Sequence, residues 1–251
     1  MPSIDLNCDL GESFGAYTIG MDSAVIPYIT SANVACGYHA GDPLVMQKTV
    51  AACKKNGVHI GAHPGYPDLM GFGRRNIAAT PAEVKAYIQY QIGALSAFCA
   101  AAGVPLCHVK PHGAMYNMAA KDESLARAIC EGILEVNPKL TLLALSGSAM
   151  VRAARALGLS VKSEVFADRG YQADGTLVPR GRPGAMITDE DEAIARVIRM
   201  AKEGVVRSVD GVDVPLTADS VCVHGDGEKA LAFVRRIRAA LTDAGIEVKA
   251  L

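Results

Sequence analysis

Short apolar stretches alternate with helical stretches along the whole chain, and each apolar stretch ends in polar or glycine-rich residues. The seven apolar stretches are SIDLNCDLGE, SANVACGYHAGD, VHIGAHPGYPD, LCHVKPHG, LTLLALSG, LSVKSEVFADRGY and SVCVHGD, in that order. Strands that alternate with helices form a parallel sheet covered by helices, because each helix returns the chain to the start of the next strand. Seven such units favour a closed or nearly closed α/β barrel over a doubly wound sheet.

Capping residues and glycines mark the helix boundaries. Asp42 followed by Pro43 predicts the start of a helix that runs to about Lys55. The stretch TPAEVKAYIQYQIGALSAFCAAAG begins with a capping box and ends at a glycine, so it predicts a second helix. Further helices are predicted at 122–136, at 148–157, in TDEDEAIARVIRMAKEG and after the seventh strand, with a hairpin around Asp210-Gly211 and a short closing strand in IEVKAL.

Composition and charge exclude several classes of function. The 251 residues are half hydrophobic with a formal net charge of −1, so one α/β barrel domain spanning 1–251 is the simplest organisation. The charges are spread along the chain, which argues against nucleic-acid partners and membrane-binding helices. No apolar run reaches ~18 residues, and the start MPSIDLNCDLGES has no signal-peptide pattern. The seven cysteines form no CxxC pair and predict free thiols in a reducing cytoplasm.

Polar side chains collect where the predicted strands end. In α/β barrels the active site lies at the carboxyl ends of the strands, where the following loops converge. From the first strand to the last, these side chains are Asn7, Asp9 and Glu12, then His39 and Asp42, His63, Lys110 and His112, Asp168 and Arg169, and His224 and Asp226. Four of the six histidines therefore fall at one predicted rim. One histidine there is more often structural, but four at equivalent positions predict a polar site.

Lys110 and His112 lie two residues apart at the end of the fourth strand, so their side chains share one face, directed into the barrel mouth. A solvated surface lysine is the alternative, but Lys110 lies within an apolar strand. We expect burial to lower its pKa or a carboxylate to pair with its charge. It could then hold an anion or move a proton.

The histidine spacings restrict where a metal ion could bind. His59 and His63, and likewise His108 and His112, are four residues apart, a separation of about 13 Å along a strand at ~3.3 Å per residue. His59 and His108 should therefore lie near the strand starts, away from the chemistry. A metal site would have to combine histidines from different strands, with Asp9 as a candidate carboxylate ligand. The sequence leaves open whether a metal binds.

Arginines and glycines indicate sites for anions. The segment GFGRR (71–75) and the pair Arg180 and Arg182 could clamp a carboxylate or phosphate, with solvated loop arginines as an equal alternative. GDGEKA (225–230) places glycines before a helix, and helix N-termini favour anions. It lacks the Gly-x4-Gly-Lys-Ser/Thr spacing of a P-loop, so a nucleotide would need an atypical site or a partner. The longest irregular stretch, DRGYQADGTLVPRGRPGAM, is a candidate functional loop.

Several long motifs together resemble the LamB/YcsF family. They are DLNCDLGESFG, SANVACGYHAGDP, AHPGYPD with GFGRR, VKPHGAMYN, VFADRGY with DGTLVPR, and VHGD, and they cover essentially the whole chain. Gly170 stands where the family has alanine, and Met115 where leucine is usual. The resemblance implies an irregular seven-stranded (β/α) barrel similar to the polysaccharide deacetylase-type barrel. It also implies cleavage of 5-oxo-L-proline to L-glutamate, coupled to ATP hydrolysis and carried out with partner subunits B and C.

The implied reaction suggests roles for the strand-end residues. An amide that is activated through ATP needs an anion holder, a base for water and an acid for the leaving nitrogen. We expect Lys110 to hold carboxylate or phosphoryl oxygens and His63 or His112 to act as base or acid, while Asp9 orients one of them or binds a cation, such as Mg²⁺, that accompanies ATP. The residues expected to contact the substrate are Asn7, Glu12, His39, Asp168, Arg169 and His224.

Two other functions remain open from the sequence. The first is a metal-dependent deacetylase or amidohydrolase that acts alone, which the barrel type and the histidines would support. The second is a non-catalytic module that binds a small carboxylic acid, which needs the arginines but not the paired Lys110 and His112. Metal content and activity without ATP or partners would distinguish these functions.

Overall fold

Seven parallel strands closed into a barrel form the centre of the computed structural model, which describes residues 2–223 and 228–251. The strands of the barrel are β1 (Ser3–Leu10), β2 (Ser31–Ala35), β3 (His59–His63), β4 (Leu106–Val109), β5 (Thr141–Leu145), β6 (Val161–Phe166) and β9 (Ser220–Val223). Strand β9 pairs with both β6 and β1, and this closes the sheet. The seven-stranded barrel predicted from the sequence is therefore confirmed.

Three further strands lie outside the barrel. Strands β7 (Val205–Arg207) and β8 (Asp213–Pro215) pair antiparallel, as the predicted hairpin around Asp210-Gly211 requires. Strand β10 (Glu247–Val248) pairs with the first residues of β1, Ser3 and Ile4. The short strand predicted in IEVKAL is therefore present, and it lies outside the barrel because β9 already closes the sheet by pairing with β1 and β6.

The helices follow the strands and cover the outside of the sheet. They are α1 (Asp22–Val25), α2 (Pro43–Asn56), α3 (Pro81–Ala102), α4 (Gly113–Ala119), α5 (Glu123–Val136), α6 (Ala149–Leu157), α7 (Glu190–Glu203) and α8 (Glu228–Asp243). The Asp42 side chain caps α2, and Thr80 and Glu83 form the predicted capping box of α3. Helices α1 and α4 were not predicted from the sequence, because helices this short depend on packing for their stability. No helix in the described part of the chain is long and apolar enough to span a membrane.

Alternation along β1 separates an apolar outer layer from a polar barrel interior. Leu6, Cys8 and Leu10 belong to the hydrophobic core, whereas Asp5, Asn7 and Asp9 have the opposite parity. The Asp5 carboxylate accepts hydrogen bonds from the hydroxyl groups of Thr30, Ser31 and Ser220. These buried polar groups therefore have hydrogen-bond partners inside the barrel. Asn7 and Asp9 continue the same row of polar side chains along β1 towards the carboxyl ends of the strands.

The barrel is irregular between β3 and β4. Their register shifts at Ile60 and Gly61, and the ring of His108 occupies the space where a Cβ atom of residue 61 would lie. His108 is buried, and its Nε2 is 2.7 Å from Asn33 Oδ1. His59 is exposed at the start of β3. His108 thus has a structural role in the interior, while His59 stays on the surface.

Candidate active site

A cavity of about 620 Å³ opens at the carboxyl ends of the strands. All four side chains predicted to be catalytic, Asp9, His63, Lys110 and His112, line it. They come from β1, β3 and the segment after β4, so the barrel brings together residues that are far apart in the sequence. The loop after β6 covers another side of the cavity with residues 176–180.

Lys110 is buried, and acceptors surround its ammonium group. Its Nζ lies 2.8 Å from Glu164 Oε1, 2.9 Å from Asp9 Oδ1 and 3.2 Å from Asn7 Oδ1. The Sγ of Cys222 is also 3.2 Å away. Burial favours the neutral amine, but the nearby charge of Asp9, followed by the Cys222 and Glu164 groups, raises the pKa of Lys110 well above its usual value. Lys110 is therefore a fixed cation held between carboxylates.

Glu164 and Tyr116, which were not among the predicted site residues, belong to this network. Glu164 is fully buried in β6, and its Oε2 accepts a hydrogen bond of 2.7 Å from the Tyr116 hydroxyl. Burial, and then the Glu164 charge, raises the pKa of Tyr116 well above its ordinary value, so this phenol stays a donor. An acidic residue inside the otherwise apolar end of a predicted strand was the available signal for Glu164.

His63 and His112 meet at the cavity wall. His63 Nε2 is 2.9 Å from His112 Nδ1 and 3.3 Å from Asp9 Oδ2. The other nitrogen of each ring faces a backbone carbonyl: His63 Nδ1 lies 2.7 Å from the Lys110 oxygen, and His112 Nε2 lies 2.8 Å from the Phe72 oxygen. Burial, followed by the neighbouring imidazoles, lowers the pKa of His112 well below its ordinary value.

Glu12 and His39 lie directly behind this pair. The rings of His39 and His112 stack with centroids 3.6 Å apart, and His39 Nε2 is 3.0 Å from Glu12 Oε1. Burial raises the pKa of Glu12 and lowers that of His39 well below its usual value. One ligand atom from each of Glu12, His39, His63 and His112 lies within 4.8 Å of the others, so this group could hold a metal ion.

The loop after β3 fixes the position of these rings. Phe72 has φ of 54°, a conformation that is costly for a bulky residue, and its carbonyl is the one that accepts from His112. A Cβ atom at Gly73 would lie 2.7 Å from His39 Cβ, and one at Gly113 would lie 2.6 Å from the Gly73 oxygen. Glycine at these two positions lets the loop pack directly against the histidines.

The arginines predicted to bind an anion differ in whether they reach the cavity. Arg74 and Arg180 line the cavity. Arg75 instead forms an ion pair with Asp68, and the ring of Phe72 lies under Arg74, with 5.0 Å between the guanidinium carbon and the ring centroid. Arg182 does not belong to the lining formed by the described residues. Of the arginines predicted to clamp an anion, Arg74 from GFGRR and Arg180 from the loop after β6 border the cavity.

The guanidinium of Arg169 binds the backbone of its own loop. It donates hydrogen bonds of 2.7 Å and 3.1 Å to the carbonyls of Val178 and Ala185. Burial lowers its pKa to about 10. Although Arg169 borders the cavity, these contacts hold the loop that carries Arg180. Asp168 is half-buried beside it, and its carbonyl accepts from the Ile187 amide.

Three other residues expected to contact substrate lie behind the cavity lining. Asn7 is fully buried and donates to Glu164 and Ser220 from its amide nitrogen. Glu12 and His39 face one another as described, and neither belongs to the lining. Parity and strand-end position correctly predicted that these side chains lie at the carboxyl end of the barrel. How deeply each side chain is buried along the barrel axis depends on packing. His224 and Asp226, and with them residues 225–227 of GDGEKA, lie outside the described residues.

Comparison with known proteins gives a consistent result over the full length of the chain. The model of the LamB/YcsF family matches residues 4–251. The A subunit of 5-oxoprolinase from Clostridium beijerinckii is 62% identical over 248 residues, which cover 99% of this chain and 97% of that protein. The corresponding A subunit from Bacillus subtilis is 57% identical over 251 residues, covering 100% and 98% respectively.

A solved structure has the same fold. The lactam utilization protein from Thermus thermophilus superposes with a TM-score of 0.94 at 47% sequence identity. The match covers 99% of this chain and 100% of that one. The two chains therefore share one fold over essentially their whole length.

Proposed function

The chain belongs to the LamB/YcsF family, and on that premise we propose that it is the A subunit of a 5-oxoprolinase. The enzyme would cleave the lactam of 5-oxo-L-proline to L-glutamate, coupled to ATP hydrolysis, together with subunits B and C. The observation that carries this proposal is the cavity wall formed by Asp9, His63, Lys110 and His112. The names of the relatives at 57–62% identity support it.

The chemistry explains why ATP is needed. A lactam has the resonance that makes peptide bonds planar and unreactive, so water attacks its carbonyl carbon slowly. Transfer of the γ-phosphoryl group to the amide oxygen would form an imidate phosphate. Water can then add to that carbon, and the C–N bond breaks as the ring nitrogen takes up protons, which leaves an acyl phosphate of glutamate. A second water hydrolyses this acyl phosphate to L-glutamate and inorganic phosphate. The site must therefore bind anions and move protons.

We assign substrate anchoring to Arg74 and Arg180. Both border the cavity, and a guanidinium matches the planar carboxylate of 5-oxoproline. The positive charge of Lys110 is already balanced by Asp9 and Glu164. Its proposed role is therefore changed from direct anion holder to the cation that keeps Asp9 ionised and oriented at the cavity wall.

Water activation is assigned to the wall formed by Asp9, His63 and His112. The carboxylate of Asp9 touches both Lys110 and His63, so it can accept a proton without leaving a charge unpaired. The nitrogens of His63 and His112 that do not bind carbonyls point towards one another. They would act on water either as bases or through a cation that they hold.

ATP use is proposed for the assembled enzyme, with Mg²⁺ accompanying the nucleotide. The chain has no P-loop spacing, which supports a nucleotide site that is atypical or formed with a partner. The seven cysteines are all free and support a cytoplasmic location.

Reconstitution tests the proposal. The chain alone, the chain with subunits B and C, and subunits B and C without it should be assayed for 5-oxoproline loss and phosphate release together. We expect coupled turnover only in the complete mixture. Absence of turnover in that mixture, or phosphate release without loss of 5-oxoproline, would refute the proposal.

A second candidate is an amidohydrolase that acts alone with a bound metal ion. The specific observation in its favour is the buried cluster of three imidazoles and Glu12. Hydrolysis of an N-acetylated or cyclic amide by the isolated chain without ATP would favour this activity over the main proposal.

A further inference from the structure

Two backbone carbonyls determine which ring nitrogens of His63 and His112 carry hydrogen. A carbonyl oxygen only accepts hydrogen bonds, so the His63 Nδ1 near the Lys110 oxygen and the His112 Nε2 near the Phe72 oxygen must both donate. In a neutral imidazole the lone pair then lies on the other nitrogen. Those nitrogens, His63 Nε2 and His112 Nδ1, are 2.9 Å apart. Two nitrogen lone pairs at this distance repel one another unless a positive charge, a proton or a metal ion, lies between them.

More electron-rich atoms surround the same point. Glu12 Oε1 lies 3.6 Å from His112 Nδ1 and 3.0 Å from His39 Nε2. Asp9 Oδ2 lies 3.3 Å from His63 Nε2. We propose that Glu12, His39, His63 and His112 together bind one first-row transition-metal ion such as Zn²⁺, with Asp9 beside it.

The donor set decides the class of metal. Imidazole nitrogens suit Zn²⁺, Fe²⁺ and Co²⁺, whereas Mg²⁺ prefers oxygen ligands and keeps several waters. The proposed ion is therefore separate from the Mg²⁺ that would accompany ATP. Metal-binding histidines usually donate their second N–H to a carboxylate or backbone carbonyl, as His63 and His112 do.

The surroundings keep the cluster in place and leave one side towards the cavity. His39 and His112 are stacked, and Phe72 lies edge-on to both rings. His63, His112 and Asp9 line the cavity, whereas Glu12 and His39 lie behind them. When bound there, such an ion would supply Lewis-acid activation of water or of a carbonyl group. This role of the ion rests on the proposed function, whereas metal binding itself can be measured without 5-oxoproline.

Metal analysis of the isolated full-length chain tests the inference. The protein should be purified without chelators for elemental analysis, then stripped and titrated with Co²⁺, whose visible spectrum reports its ligands. We expect about one ion per chain, bound through nitrogen and oxygen. His63→Ala and Glu12→Gln should each weaken Co²⁺ binding at least ~10-fold. His59→Ala is the matched control, because that imidazole is exposed and outside the cluster, and it should bind Co²⁺ like the wild type.

Thermal melts of the stripped proteins show whether each variant is folded, and the conservative Glu12→Gln change keeps the test valid if His63→Ala unfolds. A wild-type chain that binds no Co²⁺ would overturn the inference. Thiolate absorption bands, or equal loss in His59→Ala, would overturn it as well. Metal binding without 5-oxoprolinase turnover in the complete mixture would support this inference and refute the proposed function. Turnover in the complete mixture by a wild-type chain that binds no metal would support the proposed function and refute this inference.

Discussion

Lys110 Nζ lies 2.8 Å from Glu164 Oε1, although Lys110 directly follows β4 and Glu164 belongs to β6, and β5 separates these two strands in the sheet. The contact therefore crosses the interior of the barrel. Asp9 reaches the same ammonium from β1. One buried cation thus connects three parts of the sheet at the floor of the cavity, and its removal would leave two carboxylates without a counter-charge.

Replacement of Lys110 by methionine should destabilise the fold strongly. Breaking a buried ion pair by removing one partner costs about 3–5 kcal/mol, because the remaining charge is left uncompensated. The free energy of unfolding in urea at neutral pH measures the effect. Lys162→Met is the matched control, since Lys162 is more exposed and pairs only loosely with Asp219 at 3.7 Å; we expect a change below about 1 kcal/mol there. Equal losses in the two variants would contradict the role given to Lys110.

Arg180→Ala should raise KM for 5-oxoproline in the reconstituted enzyme at least ~10-fold, because a charge-assisted contact to the substrate carboxylate contributes about 1.5–3 kcal/mol. Arg74→Ala should act in the same direction. Steady-state kinetics at saturating ATP measure both. Arg182→Ala serves as the control, because this arginine belongs to the same loop but not to the cavity lining. Unchanged KM in both Arg74 and Arg180 variants would exclude them as substrate anchors.

Gly170→Ala should disturb the loop after β6. A Cβ atom at this position would overlap the carbonyl oxygen of Gly184, and overpacking of this kind costs about 1–3 kcal/mol. The loop includes the carbonyls held by Arg169, so we expect faster limited proteolysis between residues 170 and 186 as well as a lower melting temperature. The same change at Gly181 meets no atom within 4 Å and should leave both measurements unaltered.

His108 should make stability depend on pH. Burial, and then the charge of Lys110, lowers its pKa to about 3 from an ordinary 6.5. The unfolded chain therefore binds a proton below pH 6.5 that the folded chain does not, and stability falls as pH decreases from about 6.5 towards 3 by up to ~1.4 kcal/mol per pH unit.

His108→Gln keeps a donor for the Asn33 oxygen but cannot titrate. Unfolding free energies between pH 5 and 7 should therefore show a shallower slope for this variant than for the wild type. His59→Gln, measured over the same pH range, provides the matched control for the loss of one imidazole, because His59 is exposed at the start of β3. A wild-type slope in His108→Gln would show that His108 titrates normally in the folded protein.

Local sequence patterns were sufficient for much of the fold and part of the site. Helix caps such as Asp42 and Thr80 act within one turn, so they could be read directly and are confirmed. Parity along the predicted fourth strand placed Lys110 and His112 together, and both line the cavity with His63, although β4 itself ends at Val109. Short helices such as α4 were missed because their stability depends on packing rather than on their own sequence.

The sequence by itself determined the strands, their parallel order and the end of the barrel where polar side chains gather, because these depend on periodicity and on chain connectivity. Only the tertiary structure decided which partners those side chains have. Closure of β9 onto β1 and β6 brought Glu164 to Lys110, and the loop after β3 turned Arg74 towards the cavity but Arg75 towards Asp68. Such contacts join residues distant along the chain, and their energies depend on burial and on distances of a few ångströms that no local pattern encodes.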